Sequence, residues 1–273
     1  MERIDSFRLY LLREEKSVLT VEKYIRDVSA FLQWLGGAPV EKEAVVRYKE
    51  ALTARLAAVS VNSVLSSVNS FLAFQGRNDC RVKTLKLQRS VYRPAEKELS
   101  REEYARLVQT ARADTRLCLL IQSICATGIR VSEHRFLTVE AARRGFAEVR
   151  LKGKQRRVYL PGKLCKALLQ YARKQGIREG SVFITAGGRP LDRSNIWAQM
   201  KALCERAGVA REKVFPHNLR HLFARCFYAL EKDVVRLADL LGHASVNTTR
   251  IYIMESGLTH QKQIEKMRLL LTT

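Results

Sequence analysis

Apolar residues recur at helical spacing through most of this chain, which restricts it to folds that pack amphipathic helices against one another. Val21, Tyr24, Ile25, Val28, Phe31, Leu32 and Leu35 mark one face of a helix over 21–35, with Thr20 as its N-cap and Gly36, Gly37 and Pro39 ending it. The stretches 45–56 and 61–74 repeat the pattern, the latter through Val64, Leu65, Val68, Phe71 and Leu72. With a first helix around 7–12, they predict a four-helix N-terminal module. Ser100 and Glu103 then form the signature of a capping box at the start of a second helical region. That region has one interruption: 147–151 and 157–160 alternate as strands flanking the turn Lys152-Gly153-Lys154-Gln155. A third short strand is expected at 181–184, before the Gly187-Gly188 turn. Helices resume around 194–207, 218–230 and 234–241. The expected fold is mainly α: an N-terminal helical domain over 1–86, a linker over 87–98, and a mostly helical domain over 99–273 with a small antiparallel β-sheet.

The 273 residues include 49 Lys+Arg and 27 Asp+Glu, a formal charge of +22. Such an excess on a chain that is 47% apolar implies a polyanionic partner, most simply nucleic acid. The charge is uneven: residues 1–93 carry 16 basic and 10 acidic residues, and residues 94–273 carry 33 and 17. From Arg143 to Arg178 there are 12 basic residues and one acidic residue, Glu148. No run of apolar residues is long enough to span a membrane, and the first residues lack the apolar core of a signal peptide. The 6 cysteines are scattered without a C-x-x-C pair, as expected of reduced thiols in a cytosol.

Four segments place polar groups where a helix should bury itself. Ala126–Glu133 reads A-T-G-I-R-V-S-E, with Arg130 and Glu133 three apart as on one helix face. His217-Asn218-Leu219-Arg220-His221 follows Pro216, at a helix start whose free N–H groups favour an anion. His217 and His221 also have the spacing of a metal pair, without an obvious third ligand nearby. Leu241-Gly242-His243 is a helix end capped by glycine, and Tyr252 lies nine residues beyond His243.

In this order and spacing the four segments resemble the tyrosine recombinase (phage integrase) family, of the simple Xer-like two-domain type. The N-terminal module, with Leu19-Thr20 and Tyr24, is similar to the core-binding domain of that family, and 99–273 to its catalytic domain. The resemblance implies a site-specific DNA recombinase or integrase that cleaves and rejoins double-stranded DNA. Tyr252 would attack the scissile phosphate, form a 3′-phosphotyrosyl link and release a 5′-hydroxyl. Arg130 and Arg220 would hold the non-bridging oxygens, and His217 and His243 would donate to the phosphate or move the tyrosine proton. A hairpin lysine, Lys152 with Lys154 as the alternate, would protonate the leaving oxygen, and Glu133 would support the site. The family usually has an apolar residue where this chain has His134, which is given no catalytic role.

A phenol with a pKa near 10 needs neighbouring cations to act as a nucleophile at neutral pH, and these residues would supply them. The resemblance implies no metal and no cofactor. The sequence offers neither an acidic cluster of the kind that holds Mg²⁺ nor a G-x-x-x-x-G-K-[ST] loop. It further implies a tetramer on paired sites, assembled through 257–273, where Ile264, Met267, Leu270 and Leu271 recur at helical spacing. The protein is expected in a bacterial-type cytosol, on the nucleoid, without a separate arm-binding domain. Two other functions fit the same residues: a catalytically inactive DNA-binding protein, and a topoisomerase-like nickase-ligase.

Overall fold

The computed structural model describes residues 2–87, 95–151, 154–243, 245–253 and 266. The chain divides into two compact units, Met1–Arg89 and Ser90–Thr273.

The first unit contains α1 (Glu2–Arg13), α2 (Val18–Leu35), α3 (Lys42–Thr53) and α4 (Ala58–Phe74). Phe7, Leu11, Val21, Val28 and Phe71 close one end of its core, and Phe31, Val45, Leu65, Val68 and Leu72 the other. The N-cap of α2 is Ser17, not Thr20: its hydroxyl accepts the Thr20 N–H. The apolar pattern begins late because Val18 and Leu19, in the first turn, are 65% and 77% exposed. After α4 the chain runs extended along that helix. Asn69 exchanges two hydrogen bonds with the backbone of Val82 (2.8 and 3.0 Å), and Asn62 does the same with Leu85 (2.9 and 2.7 Å). The spacing fits, since seven helical residues and three extended ones each cover about 10 Å.

The second unit opens at α5 (Arg101–Thr110), where the Ser100–Glu103 capping box forms in full. It continues with α6 (Thr115–Thr127), a 3-10 turn (Val131–Phe136) and α7 (Val139–Arg144). An antiparallel hairpin of β1 (Phe146–Leu151) and β2 (Lys154–Tyr159) follows. Then come α8 (Gly162–Lys174), α9 (Arg193–Ala202), α10 (Cys204–Ala207), α11 (Pro216–Glu231), α12 (Val234–Leu241) and α13 (Val246–Ile253). The core is built around α6, whose Leu120, Ile121 and Ile124 are fully buried. The molecule is therefore mainly α with one small antiparallel sheet.

Two strand expectations need correction. The hairpin ladder reaches Leu151↔Lys154, so Lys154 and Gln155 belong to β2 and not to the turn. At 181–184 there is no third strand; Ser181 bridges Thr138 and Ile184 bridges Pro190, each singly. A strand needs successive pairs with one partner, and here the partner changes within three residues. No helix among the described residues is long and apolar enough to cross a membrane.

Candidate active site

The site forms where α6, α11, α12 and α13 end or begin near one another. Helix α6 stops at Gly128, whose φ of +63° is left-handed. A Cβ at Gly128 would lie 2.5 Å from Phe223 Cδ1, so glycine is required by space as well as by conformation. Thr127 secures this exit: its hydroxyl donates to Ser123 O (2.6 Å) and accepts the Ile129 N–H (3.3 Å). The next residue is Arg130. It does not share a helix face with Glu133, as the sequence spacing suggested; it precedes a 3-10 turn that brings Glu133 back onto it. One Glu133 oxygen accepts the Arg130 backbone N–H (3.0 Å) and the other accepts Nη1 (2.9 Å).

Pro216 fixes the first turn of α11, and His217 and Arg220 follow one turn apart. Arg220 is 1% exposed. Its Nη1 donates to Gly128 O (2.6 Å), and its Nη2 donates to Leu241 O (2.7 Å) and to His243 Nε2 (2.9 Å). Burial and the charge of Arg130 pull Arg220 down to about 10, which leaves it protonated at neutral pH.

Guanidinium groups only donate, so His243 Nε2 is an acceptor and its proton is on Nδ1, which donates to Thr249 Oγ1 at 2.8 Å. Burial, with Arg220, Arg130, Arg156 and His217 adding to it, pushes His243 down to about 4. Between that value and the ordinary 6.5 the unfolded chain binds the proton and the folded chain does not. His243 therefore contributes stability above pH 6.5 that is lost as the pH falls toward 4. His134, lowered chiefly by burial, acts in the same direction. His243→Gln should flatten part of the acid-side fall in the urea midpoint; an unchanged slope would contradict the assignment.

Tyr252 projects from α13 and is 7% exposed. Its ring stacks on His221 (centroids 4.1 Å apart, planes at 27°) and lies near His243 (5.2 Å) and His217 (5.4 Å). The hydroxyl is 3.5 Å from His217 Nε2, long for a hydrogen bond but within the range that tightens when a substrate arrives. His217 and His221, which the sequence offered as a metal pair, pack edge to face 4.7 Å apart. A cavity of about 730 Å³ opens beside them, walled by Arg130, Ser132, His217 and Arg220 and by Arg193, Trp197 and Phe215.

Tyr252, Arg130, Glu133, His217, Arg220 and His243 are thus brought together. Lys152 lies outside the described residues; Lys154 is on β2 opposite Leu151. His134 is buried, its Nδ1–H donating to Val131 O at 2.6 Å. Sequence reasoning gave no part to Arg156 or Thr249, and gave His221 only a place in the metal pair. Arg156 donates from Nη2 to Glu133 Oε2 (2.6 Å) and from Nη1 to Leu240 O (2.8 Å). Burial works to raise the Glu133 carboxyl, but Arg156 and the hydrogen bonds from Arg130 outweigh it and hold it below the ordinary value. Strand alternation alone could have placed Arg156 inward with Val158.

The helical scaffold gathers guanidinium groups and histidines around a buried tyrosine, an arrangement chemically suited to binding an anion beside a nucleophile. The chain belongs to the phage integrase family: that family matches residues 97–257, and the phage integrase N-terminal SAM-like domain matches residues 4–78. It is 29% identical over 280 residues to tyrosine recombinase XerA of Pyrococcus furiosus, covering 98% of this chain and 95% of that protein. It is 30% identical over 283 residues to XerA of Thermococcus kodakarensis, covering 98% and 96%. Among solved structures, that of XerA recombinase matches at 28% identity with a TM-score of 0.55, over 99% of both chains. The post-cleavage complex of XerH bound to palindromic difH substrate shares the fold at 20% identity. Its TM-score is 0.72, over 91% of this chain and 80% of that one.

Proposed function

We propose that the protein is a site-specific DNA recombinase that cleaves and rejoins double-stranded DNA through a tyrosine–phosphate ester. The observation that carries this reading is the convergence of Arg130 and Arg220, with His217 and His243, around the Tyr252 ring. The phenolic oxygen of Tyr252 attacks the scissile phosphorus. Its proton passes to His217, whose Nε2 is nearest, and the bond from phosphorus to the 5′-oxygen breaks. The leaving oxygen takes a proton from the hairpin lysine, Lys152 or Lys154. The products are a 3′-phosphotyrosyl strand and a free 5′-hydroxyl. Ester exchange conserves the bond, so rejoining is the same step reversed and requires no ATP.

Arg130 and Arg220 act by charge that is fixed in place before the phosphorane forms. Helix ends and carbonyls orient them, so no reorganisation is needed as negative charge grows. Burial and the neighbouring cations hold His243 neutral, and a bound phosphate would offset the cations. Its pKa would rise, and Nε2 could then donate to the phosphate.

The basic surface serves affinity. The first unit would act as the core-binding domain, 87–98 as a basic strap on the phosphate backbone, and the hairpin bases as further phosphate contacts. Binding should therefore fall steeply with salt, in a straight line of log affinity against log salt concentration. A salt-insensitive affinity would contradict that role. Assembly would be a tetramer on two sites, joined through 257–273, which apart from residue 266 lies outside the described residues. The setting would be the cytoplasm, where such DNA resides.

The test uses duplexes selected by covalent capture from a random pool, placed in pairs on one plasmid. Exchange between the two sites supports a recombinase. Relaxation without exchange would identify a nickase-ligase, and binding without cleavage would identify a DNA-binding protein.

A further inference from the structure

The mechanism above leaves unused a largely buried cation that touches the site. Arg156 sits on the hairpin, four residues after Lys152 and two after Lys154 in sequence. Its side chain is 13% exposed, against 61% for Arg157 and 70% for Arg150. Burial lowers its pKa, and the Glu133 carboxylate works against that.

Three consecutive carbonyls at the end of α12 each receive a different arginine. Leu240 O accepts from Arg156 (2.8 Å), Leu241 O from Arg220 (2.7 Å) and Gly242 O from Arg130 (3.3 Å). The last carbonyls of a helix lack intrahelical partners and carry the negative end of its dipole, so they suit three crowded cations. Glu133 adds a second tie, with Arg130 on one oxygen and Arg156 on the other. The stem of Arg156 crosses Gly242 so closely that a Cβ there would be 2.2 Å from Arg156 Cδ. The glycine of the Leu241-Gly242-His243 segment thus provides a left-handed cap and also a passage for this side chain.

In the ladder Arg156 faces Val149, and only the Arg150–Gln155 and Leu151–Lys154 pairs lie further toward the tip. A two-stranded hairpin is marginal by itself, so its outer part depends on whatever anchors it. We propose that Arg156 is a positioning residue that locks the hairpin, and through it the leaving-group lysine, to the Arg130–Glu133 pair and the end of α12. The inference rests on the phosphotyrosyl reading with a hairpin lysine as the acid.

The experiment measures single-turnover cleavage of a nicked duplex with either oxygen or sulfur at the 5′-bridging position. A thiolate leaves without a proton, because a thiol is acidic near pH 8.5 where an alcohol is not. The readout is the ratio of sulfur to oxygen rates within each variant, which does not depend on how much protein is folded. Arg156→Gln should cleave the oxygen substrate about 10²-fold slower than the unmodified protein, the cost of a misplaced general acid. On sulfur it should return to within about threefold, so its ratio rises. Arg156→Lys, which keeps the charge but loses the two-armed fork, should fall between. Arg130→Ala should be slow on both substrates.

An Arg156→Gln ratio equal to that of the unmodified protein would overturn the inference, whether both rates are normal or both are slow. If the unmodified protein forms no adduct on either substrate, the phosphotyrosyl reading itself fails, and the role of Arg156 fails with it.

Discussion

Arg220→Ala should slow strand cleavage by about 10²- to 10³-fold, the usual cost of removing one fixed donor from a developing oxyanion, while DNA affinity changes little. The residue is 1% exposed, and its Nη1 and Nη2 donate to Gly128 O, Leu241 O and His243 Nε2, which holds the guanidinium in place. That immobility is what makes it effective, because the charge is already placed when the phosphorane forms. Affinity, by contrast, comes from many exposed bases, of which this is not one. Truncation also leaves those three acceptors without their donor, at about 1–3 kcal/mol for each one that stays dry. Relief of repulsion from Arg130 and Arg156 offsets part of that loss. Arg220→Lys should recover little, since a single ammonium cannot replace a fork that reaches acceptors at the ends of both α6 and α12. Single-turnover cleavage, corrected for the folded fraction by urea titration, checks the claim; a rate within about threefold of the unmodified protein would contradict it.

Tyr252→Phe should have the larger effect, at least about 10⁴-fold, because it removes the nucleophile and nothing else. The ring keeps its stack on His221 and its packing with Leu237 and Leu241. The lost hydroxyl makes a long 3.5 Å approach to His217 and interacts with the Arg220 guanidinium, so stability should change by only about 1 kcal/mol. Fold and DNA binding would persist while covalent chemistry disappears.

Much of this was legible in the chain itself because local rules and tertiary demands agree. The capping box at Ser100, the glycine stop before His243 and the apolar faces of the helices all form as the residue pattern indicates. Legibility failed where tertiary contacts overrule local pattern. Arg130 and Glu133 are three apart, as on a helix, yet Gly128 has already ended that helix and the pair meets across a turn. Arg156 is hidden among 12 basic residues between Arg143 and Arg178, and composition marks all of them as surface. Its burial depends on the end of α12, more than 80 residues later, which no local window contains. Thr249, completely buried against His243, has a similar history: in sequence it is one more polar residue of a polar helix.

The central claim is that Tyr252 becomes bonded to the 3′ end of the cleaved strand. A nicked duplex that cannot be religated traps the adduct, and protease digestion followed by mass spectrometry locates the nucleotide on the peptide. The prediction is a modified peptide carrying the 3′-phosphoryl end on Tyr252, with a free 5′-hydroxyl on the released strand and no adduct in Tyr252→Phe. An adduct on any other residue, a 5′-phosphoryl linkage, or an adduct that survives Tyr252→Phe would contradict it.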